Sequence, residues 1–365
     1  MQTINTDVFI AGAGPAGTSA VLHLLHRDPS WAERLVIVDR AVFPREKLCG
    51  GAIAIIQGAA WARIGVPLPA VPSIDVNDVY TFWGTDAYAL EDVRLRVVRR
   101  RDYDAALVRE VEARQVPVQQ GESVEAVTVC DDAVEILTDR AFYRAKALIA
   151  ADGSNSAVRR RLKWPGGSHL ARLIEILTPA ADAANSPLPP EQAAFDFSDL
   201  SRGLGGYTWD FPCIVGGELH VNRGIYDSNV STRHRVDLKA ILGERLRDRG
   251  LSLSDYPLLG HPIRWYDPRE RYSQPRVLLA GDAAGVDPLL GEGISFAIAY
   301  GELAADCLVD ADASGDWRFE HYSDRIKTHA ALRHLVPRYR LAHAAFRSKQ
   351  PHRLLERALL AWAGQ

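Results

Sequence analysis

Cysteine is scarce in this 365-residue chain, and methionine occurs once. The four cysteines, Cys49, Cys130, Cys213 and Cys307, lie far apart, and no CxxC or HExxH spacing occurs. That pattern gives no support to a zinc site, and no metal is expected. Disulfides are not expected in a reducing compartment. Excess charge is lacking too: 43 Lys and Arg face 46 Asp and Glu, for a net charge of −3. No overall field favours nucleic acid, and no such partner is expected. No apolar run approaches the roughly 20 residues that span a bilayer. The opening MQTINTDVFIAGAGPAG lacks the basic start and long apolar core of a secretory leader. With 47% hydrophobic residues, the expectation is a cytoplasmic protein with a large core, in one or two domains.

What is present is a βαβ opening. DVFIAGAG reads as a buried strand running into a glycine turn, and PAGTSAVLHLLHR as a helix with Pro15 in its tolerated first turn. RLVIVDR reads as a second strand. The spacing predicts a helix over 53–63, strands in DVYTFWG and DVRLRVVRR with a turn between them, and a helix in DYDAALVREVEAR. Ser123 to Gly153 predicts an antiparallel hairpin, turning at Asp131 and Asp132, that feeds a further strand. From about Leu170 to Asp267 the pattern changes. Pro, Gly and aromatics interrupt the short β-like runs AAFDFS, GGYTWDFP and GELHVNRGIY, with one helical stretch, RHRVDLKAILGERLRDRG. The α/β pattern resumes at RVLLAGDAAG, and helices follow to the end. A β-rich module inserted in a discontinuous α/β domain is the expected plan.

Two motifs carry chemistry. Gly12, Gly14 and Gly17 form GxGxxG directly after a strand and at the opening of a helix. Gly12 permits the tight turn, Gly14 lets a pyrophosphate approach the backbone, and Gly17 allows close helix packing. The helix N-terminus offers free N–H groups to phosphate. Asp39 closes the second strand, where a carboxylate can bond ribose hydroxyls. NAD and FAD both satisfy this first motif. The second lies between Arg276 and Gly301, where a strand ends at Gly281-Asp282 and a helix starts near Gly291 to Gly293. That helix start suits a group that gains negative charge, such as the N1–C2=O edge of a reduced flavin. NAD has no part that needs this second site.

GxGxxG, AADGSNSAVRRRL at 150–162 and GDAAGVDPLLGEGI from Gly281 occur in that order. Together they resemble the FAD-dependent hydroxylase (group A flavin monooxygenase) superfamily. FPREKLCGG at 43–51 and GYTWDFP at 206–212 look like its geranylgeranyl-reductase-like branch. The second stretch also resembles the WxWxIP element of flavin halogenases, with Tyr207 in place of Trp and Phe211 in place of Ile. Cys213 stands where the reductase-like branch commonly has Lys. The resemblance implies an α/β fold: a Rossmann-like FAD-binding domain of the GR2 type, an inserted β-rich substrate domain, and C-terminal helices. On that plan 1–75, 99–169 and 268–310 make up the FAD-binding domain, 76–98 and 170–267 the substrate module, and 311–365 the C-terminal helices. The resemblance also implies bound FAD, with contacts from Gly12, Gly14, Pro15, Ala16, Gly17, Asp39, Arg40, Lys47, Cys49, Gly50, Gly51 and Arg100. Arg101 competes with Arg100 for the basic position. Further along, Asp152, Gly153, Gly281, Asp282, Pro288, Gly291, Gly293 and Ile294 complete the set.

Tyr207, Trp209 and Phe211 alternate, so they can share one face of a strand. With Cys49, Tyr207 and Trp209 are the candidate catalytic residues. His23, His26, His169, His220, His234, His261, His321 and the four later histidines form no motif and are expected at the surface or satisfied in the core. From Arg325 onward the chain is strongly basic. A solvated helix face is the plainer reading, and a docking face for a protein partner or a membrane surface the sharper one. The expected activity leans, by a small margin, to a monooxygenase. It would hydroxylate an aromatic or apolar substrate with O2 through a flavin C4a-hydroperoxide, with NADH or NADPH as reductant. An ene-reductase acting on isolated C=C bonds is the alternative. A halogenase ranks below both, because Lys47 is the only lysine near the matched motifs.

Overall fold

The computed structural model describes residues 3–54, 61, 64–66, 70–90, 93–167, 169–186, 188–231, 235–348 and 350–356. In chain order the strands begin with β1 (Thr3–Ala11), β2 (Leu35–Asp39), β3 (Ala52–Ala54), β4 (Ser73–Val76), β5 (Val79–Trp83) and β6 (Asp86–Leu90). Next come β7 (Leu95–Val98), β8 (Val118–Gln120), β9 (Val124–Val129), β10 (Val134–Thr138), β11 (Phe142–Ala150) and β12 (Leu170–Pro179). The last are β13 (Ala193–Asp196), β14 (Gly206–Val215), β15 (Glu218–Asp227), β16 (Leu259–Arg264), β17 (Ser273–Gln274) and β18 (Val277–Leu279). The helices used below are α1 (Pro15–Arg27), α2 (Arg100–Ala113), α3 (Ala157–Arg161), α4 (Leu238–Asp248), α5 (Ile294–Ser314), α6 (Tyr322–Thr328) and α7 (Leu335–Arg347).

Three sheets result. In the first, β2, β1, β11 and β18 run parallel side by side, with Ile10 opposite both Ile37 and Ile149. Val8, Phe9, Ile10, Leu148 and Ile149 are fully buried, because helices cover both faces of a parallel sheet. α1 and α5 lie together on this sheet, and Ser19 Oγ donates to Ile298 O at 2.8 Å across their contact. Both helices therefore start at the carboxyl end of the parallel strands, where open α/β sheets bind ligands. The hairpin β9–β10 extends β11, as the Asp131–Asp132 turn predicts.

The second sheet has the order β16-β12-β15-β14-β13-β5-β6. Cross-strand pairing places Leu173, Tyr226 and Tyr207 in one row and Glu175, Gly224 and Trp209 in the next. Phe195 lies opposite Trp209 on the other side. One face of this sheet is thus aromatic, and it meets the parallel domain. The opposite face packs on α4 through Ile176, Ile225, Ile241 and Leu242. A small third sheet, β3-β7-β4, lies between.

Two sequence expectations are corrected. Ile53 and Ala54, read as the start of a helix, lie in β3 because they pair with Arg96 and Leu95 of β7. Residues 55–60 and 62–63 of that expected helix lie outside the described residues. The stretch read as a turn between two strands contains a full strand, β6, which pairs with β5 from Asp86 to Leu90. Among the described residues no helix is long and apolar enough to cross a membrane.

Candidate active site

The dinucleotide end is built by glycine geometry. Gly12 turns the chain at φ +104°, and a Cβ there would lie 2.3 Å from Ala151 O. A Cβ at Gly17 would lie 1.9 Å from Gly12 O, so α1 presses on the turn. Around Gly14 the nearest side-chain atom is Arg45 Nη2, 3.7 Å from where a Cβ would be, which leaves the backbone open on that side. α1 begins at Pro15 with no side-chain cap, so the first free N–H groups point into this space. Asp39 accepts the Ala13 N–H through Oδ2 and the Ala41 N–H through Oδ1, both at 2.8 Å. Arg40 follows it, exposed. Asp152 accepts the Val158 N–H through Oδ2, while its buried Oδ1 has no close hydrogen-bond partner among the described residues. Burial pushes this carboxyl up.

At the other end, four segments converge. Lys47 donates to His261 Nε2 at 2.6 Å and lies 3.7 Å from Asp282 Oδ2. Ser154 Oγ also donates to Asp282, at 3.2 Å, and accepts the Arg264 N–H. Arg100 makes a fork to both oxygens of fully buried Asp104, at 2.8 and 2.9 Å, and Arg45 approaches the same carboxylate at 3.2 Å. Burial and then Lys47 lower His261 to about 4 from an ordinary 6.5, so its ring is neutral at pH 7. Because the unfolded chain takes up this proton first, stability falls as pH drops from about 6.5 toward 4. His261→Gln should remove part of that acid sensitivity, measured as Tm against pH.

Between these groups and the aromatic sheet face lies a cavity of about 540 Å3. Lys47, Cys49, Gly50, Gly51, Arg100, Asp282, Gly291, Gly293 and Ile294 line one side of it. Leu173, Phe195, Phe197, Tyr207, Trp209, Phe211 and Tyr226 line the other. The Cys49–Gly51 loop rests on this wall: a Cβ at Gly50 would be 2.7 Å from the Phe211 ring. Trp209 lies flat across Gly224, where a Cβ would be 2.3 Å from the indole, and donates through Nε1 to Asn222 Oδ1 at 2.7 Å. Burial pushes the Cys49 thiol up, so it holds its proton at neutral pH, against the opposing pull of Arg100.

The loop from Asp287 to Glu292 is fixed from two sides. Tyr207 donates its hydroxyl to Leu290 O at 2.6 Å, and Tyr226 donates to Pro288 O at 3.0 Å. Asp287 accepts the Leu289 and Leu290 N–H groups. Arg338 of α7 donates to Asp287 Oδ2 and Glu292 Oε2, both at 2.7 Å. This places one member of the basic C-terminal stretch inside the site. Arg325 pairs with Asp310 and Lys327 with Asp324, while Lys349 and Arg357 lie outside the described residues. α5 then starts at Ile294, again with no side-chain cap.

Of the residues singled out in the sequence, Lys47, Cys49, Gly50, Gly51, Arg100, Tyr207, Trp209, Asp282, Gly291, Gly293 and Ile294 thus meet at one cavity. Gly12 to Gly17, Asp39, Arg40, Asp152 and Gly153 lie apart from it, along the nucleotide end. Pro288 contributes its carbonyl to Tyr226, and Gly281 lies buried under α1 against Ala16. His261, Glu175, Asn222 and Arg338 were missed. His261 carried no motif. Glu175 gave a faint signal, a lone carboxylate in the apolar strand LARLIEILTP.

Two helix N-termini without side-chain caps, an open glycine turn and the buried Asp152 carboxyl fit a dinucleotide whose second half is a redox ring. Fold and site therefore fit a dinucleotide-dependent oxidoreductase. No family model matches the chain. An uncharacterised protein of Methanosarcina barkeri is 27% identical over 85% of this chain and 76% of its own length. A menaquinone reductase of Mycolicibacterium smegmatis is 27% identical over 87% of this chain and 81% of its own. Among solved structures, a geranylgeranyl bacteriochlorophyll reductase-like protein from Thermoplasma acidophilum superposes with a TM-score of 0.74. It is 20% identical, over 97% of this chain and 90% of that one. The halogenase PltM, solved with phloroglucinol and FAD, gives a TM-score of 0.72 at 16% identity, over 96% of this chain and 78% of that one. The chain thus shares its fold with geranylgeranyl-reductase-like and flavin-halogenase structures.

Proposed function

We propose that this chain is an FAD-dependent reductase that saturates C=C bonds in an apolar substrate. The observation that carries the reading is the cavity wall. Its sheet side is mostly aromatic or aliphatic, and its polar groups are Thr81, His261, the Tyr207 and Tyr226 hydroxyls and the Trp209 N–H. Tyr207 is spent on Leu290 O, Tyr226 on Pro288 O, Trp209 on Asn222 Oδ1 and His261 on Lys47. Such a wall binds a hydrocarbon by burial and offers a polar ring substituent little to recognise. Gly12, Gly14, Gly17 and the start of α1 would hold the pyrophosphate, Asp39 the ribose, and Asp282 with Gly291 to Ile294 the ring end. FAD bound there supplies two-electron redox chemistry. The chain's own residues orient the substrate, exclude water and, at Cys49, hold a proton beside it. Two similar proteins, a menaquinone reductase and a geranylgeranyl bacteriochlorophyll reductase-like protein, support the reductase reading.

A second reading, monooxygenation, is favoured by the stacked Trp209 and Phe211 rings, which suit a planar substrate. Halogenation has less support: Lys47 is the only lysine among the described lining residues, and its ammonium is engaged by His261 and Asp282. The cavity itself is tested by Leu173→Trp, which fills it from β12. The variant should retain FAD and lose about tenfold or more in kcat/KM for an apolar alkene, as expected for steric exclusion worth about 1.4 kcal/mol or more. Unchanged turnover would place the substrate elsewhere.

A further inference from the structure

This inference rests on the reductase reading and concerns the side chain behind Cys49. Glu175 stands on the cavity-side face of the second sheet, opposite Gly224 of β15, and is only 6% exposed. Its Oε1 accepts the Cys49 N–H at 3.2 Å, while Oε2 is buried and, among the described residues, has only the Asn222 side chain near it. The Asn222 side chain, which accepts the Trp209 indole N–H, lies beside the same carboxyl. One buried carboxyl thus joins the Cys-Gly-Gly loop to the aromatic wall. A carboxylate buried with so few donors is costly as an anion and much less so as a protonated acid. Burial accordingly pushes Glu175 up, against Asn222 and the Cys49 N–H.

We propose that Glu175 is a positioning residue for Cys49: it holds the loop through the Cys49 N–H and returns to the thiol the proton that the thiol gives to substrate. Saturating a C=C bond takes a hydride at one carbon and a proton at the other. The hydride, two electrons and a proton, comes from the reduced flavin of the proposed reaction, which is thereby oxidised by two electrons. The Cys49 S–H bond breaks as its proton forms the second C–H bond. The thiolate then takes the Glu175 carboxyl proton, and the carboxylate takes up one proton from bulk solvent, so that each saturated bond consumes one hydride and one solvent proton. The other charged or titratable groups facing this pair are Lys47, Arg99, Arg100, Tyr207 and Cys213. Lys47 and Arg100 favour the thiolate, whereas burial and the Glu175 charge oppose it.

The test is the pH dependence of Cys49 alkylation by iodoacetamide in the FAD-loaded protein, read by peptide mass and independent of turnover. The Glu175 charge opposes formation of the thiolate. Glu175→Gln removes that charge and should lower the midpoint by about one pH unit. Glu175→Asp keeps the charge and should retain most of the wild-type value. An unchanged midpoint in Glu175→Gln overturns the proposal. An equal fall in Glu175→Asp also overturns it, because the effect is then one of packing. Under nitrogen, with geranylgeraniol as probe, Glu175→Gln should cut kcat about 100-fold, the scale of a lost proton-transfer group, with KM little changed. If the wild type leaves geranylgeraniol unreduced while the midpoints move as stated, the reductase reading fails and the Glu175–Cys49 coupling stands.

Discussion

Gly12→Ala should yield a protein that no longer retains FAD through purification. The new Cβ would sit 2.3 Å from Ala151 O and 2.9 Å from Asp152 N, both backbone atoms with no side-chain freedom to yield. The backbone at φ +104° is also strained for any L side chain. Strain of about 1–3 kcal/mol and overpacking of about 1–3 kcal/mol act on the turn that presents Gly14 to the cofactor. Relief requires the turn to move away from β11, which carries the Gly14 backbone and the start of α1 with it. A loss of affinity of at least about tenfold follows from the low end of that sum. The measurement is the ratio of flavin absorbance to protein after gel filtration. A ratio equal to wild type would show that the turn does not contact the cofactor as described.

Arg338→Met should cost about 3 kcal/mol of stability, the low end for leaving a buried carboxylate without its cation. Asp287 is fully buried, and Arg338 is the guanidinium that joins it to Glu292. Burial already pushes the Asp287 carboxyl up, and Arg338 is the first of the groups that pull it back. Removing Arg338 leaves two acidic groups next to the loop on which the ring end of the cofactor would rest. Asp287→Asn in the same chain should restore part of the loss, since it removes one of the stranded charges and keeps a carbonyl to accept a backbone N–H. Chemical denaturation of the wild type, the two single variants and the double variant measures this coupling directly. If the single and double losses simply add, Arg338 does not act through Asp287.

The parts of this protein that were legible in the sequence are those fixed by neighbours along the chain. GxGxxG declares itself because a positive φ, an open backbone and a close helix are local demands that only glycine meets. The alternation of Tyr207, Trp209 and Phe211 predicts a shared face, and pairing with Gly224 and Phe195 shows what that face looks onto. What stayed hidden depends on register between distant strands. β6 was read as a turn because DAYAL is short and only weakly apolar, and its strand character comes from pairing with β5. Ile53 and Ala54 carry helical spacing, yet β7 claims them. His261 and Glu175 reach the site because β16 and β12 pair with each other and set them on the same face. Arg338 arrives from α7, far along the chain from the loop it holds. The basic composition of that stretch reads equally well as a solvated helix, and the paired acids are visible only in three dimensions.

The account stands most directly on one reaction carried out without oxygen. FAD-loaded protein is reduced with dithionite under nitrogen, mixed with geranylgeraniol, and the extracted product is weighed by mass spectrometry. The account predicts a product that gains two hydrogens for each bond saturated and no oxygen, formed while O2 is excluded. A product that forms only once O2 is admitted, and that carries an added oxygen atom, would contradict it.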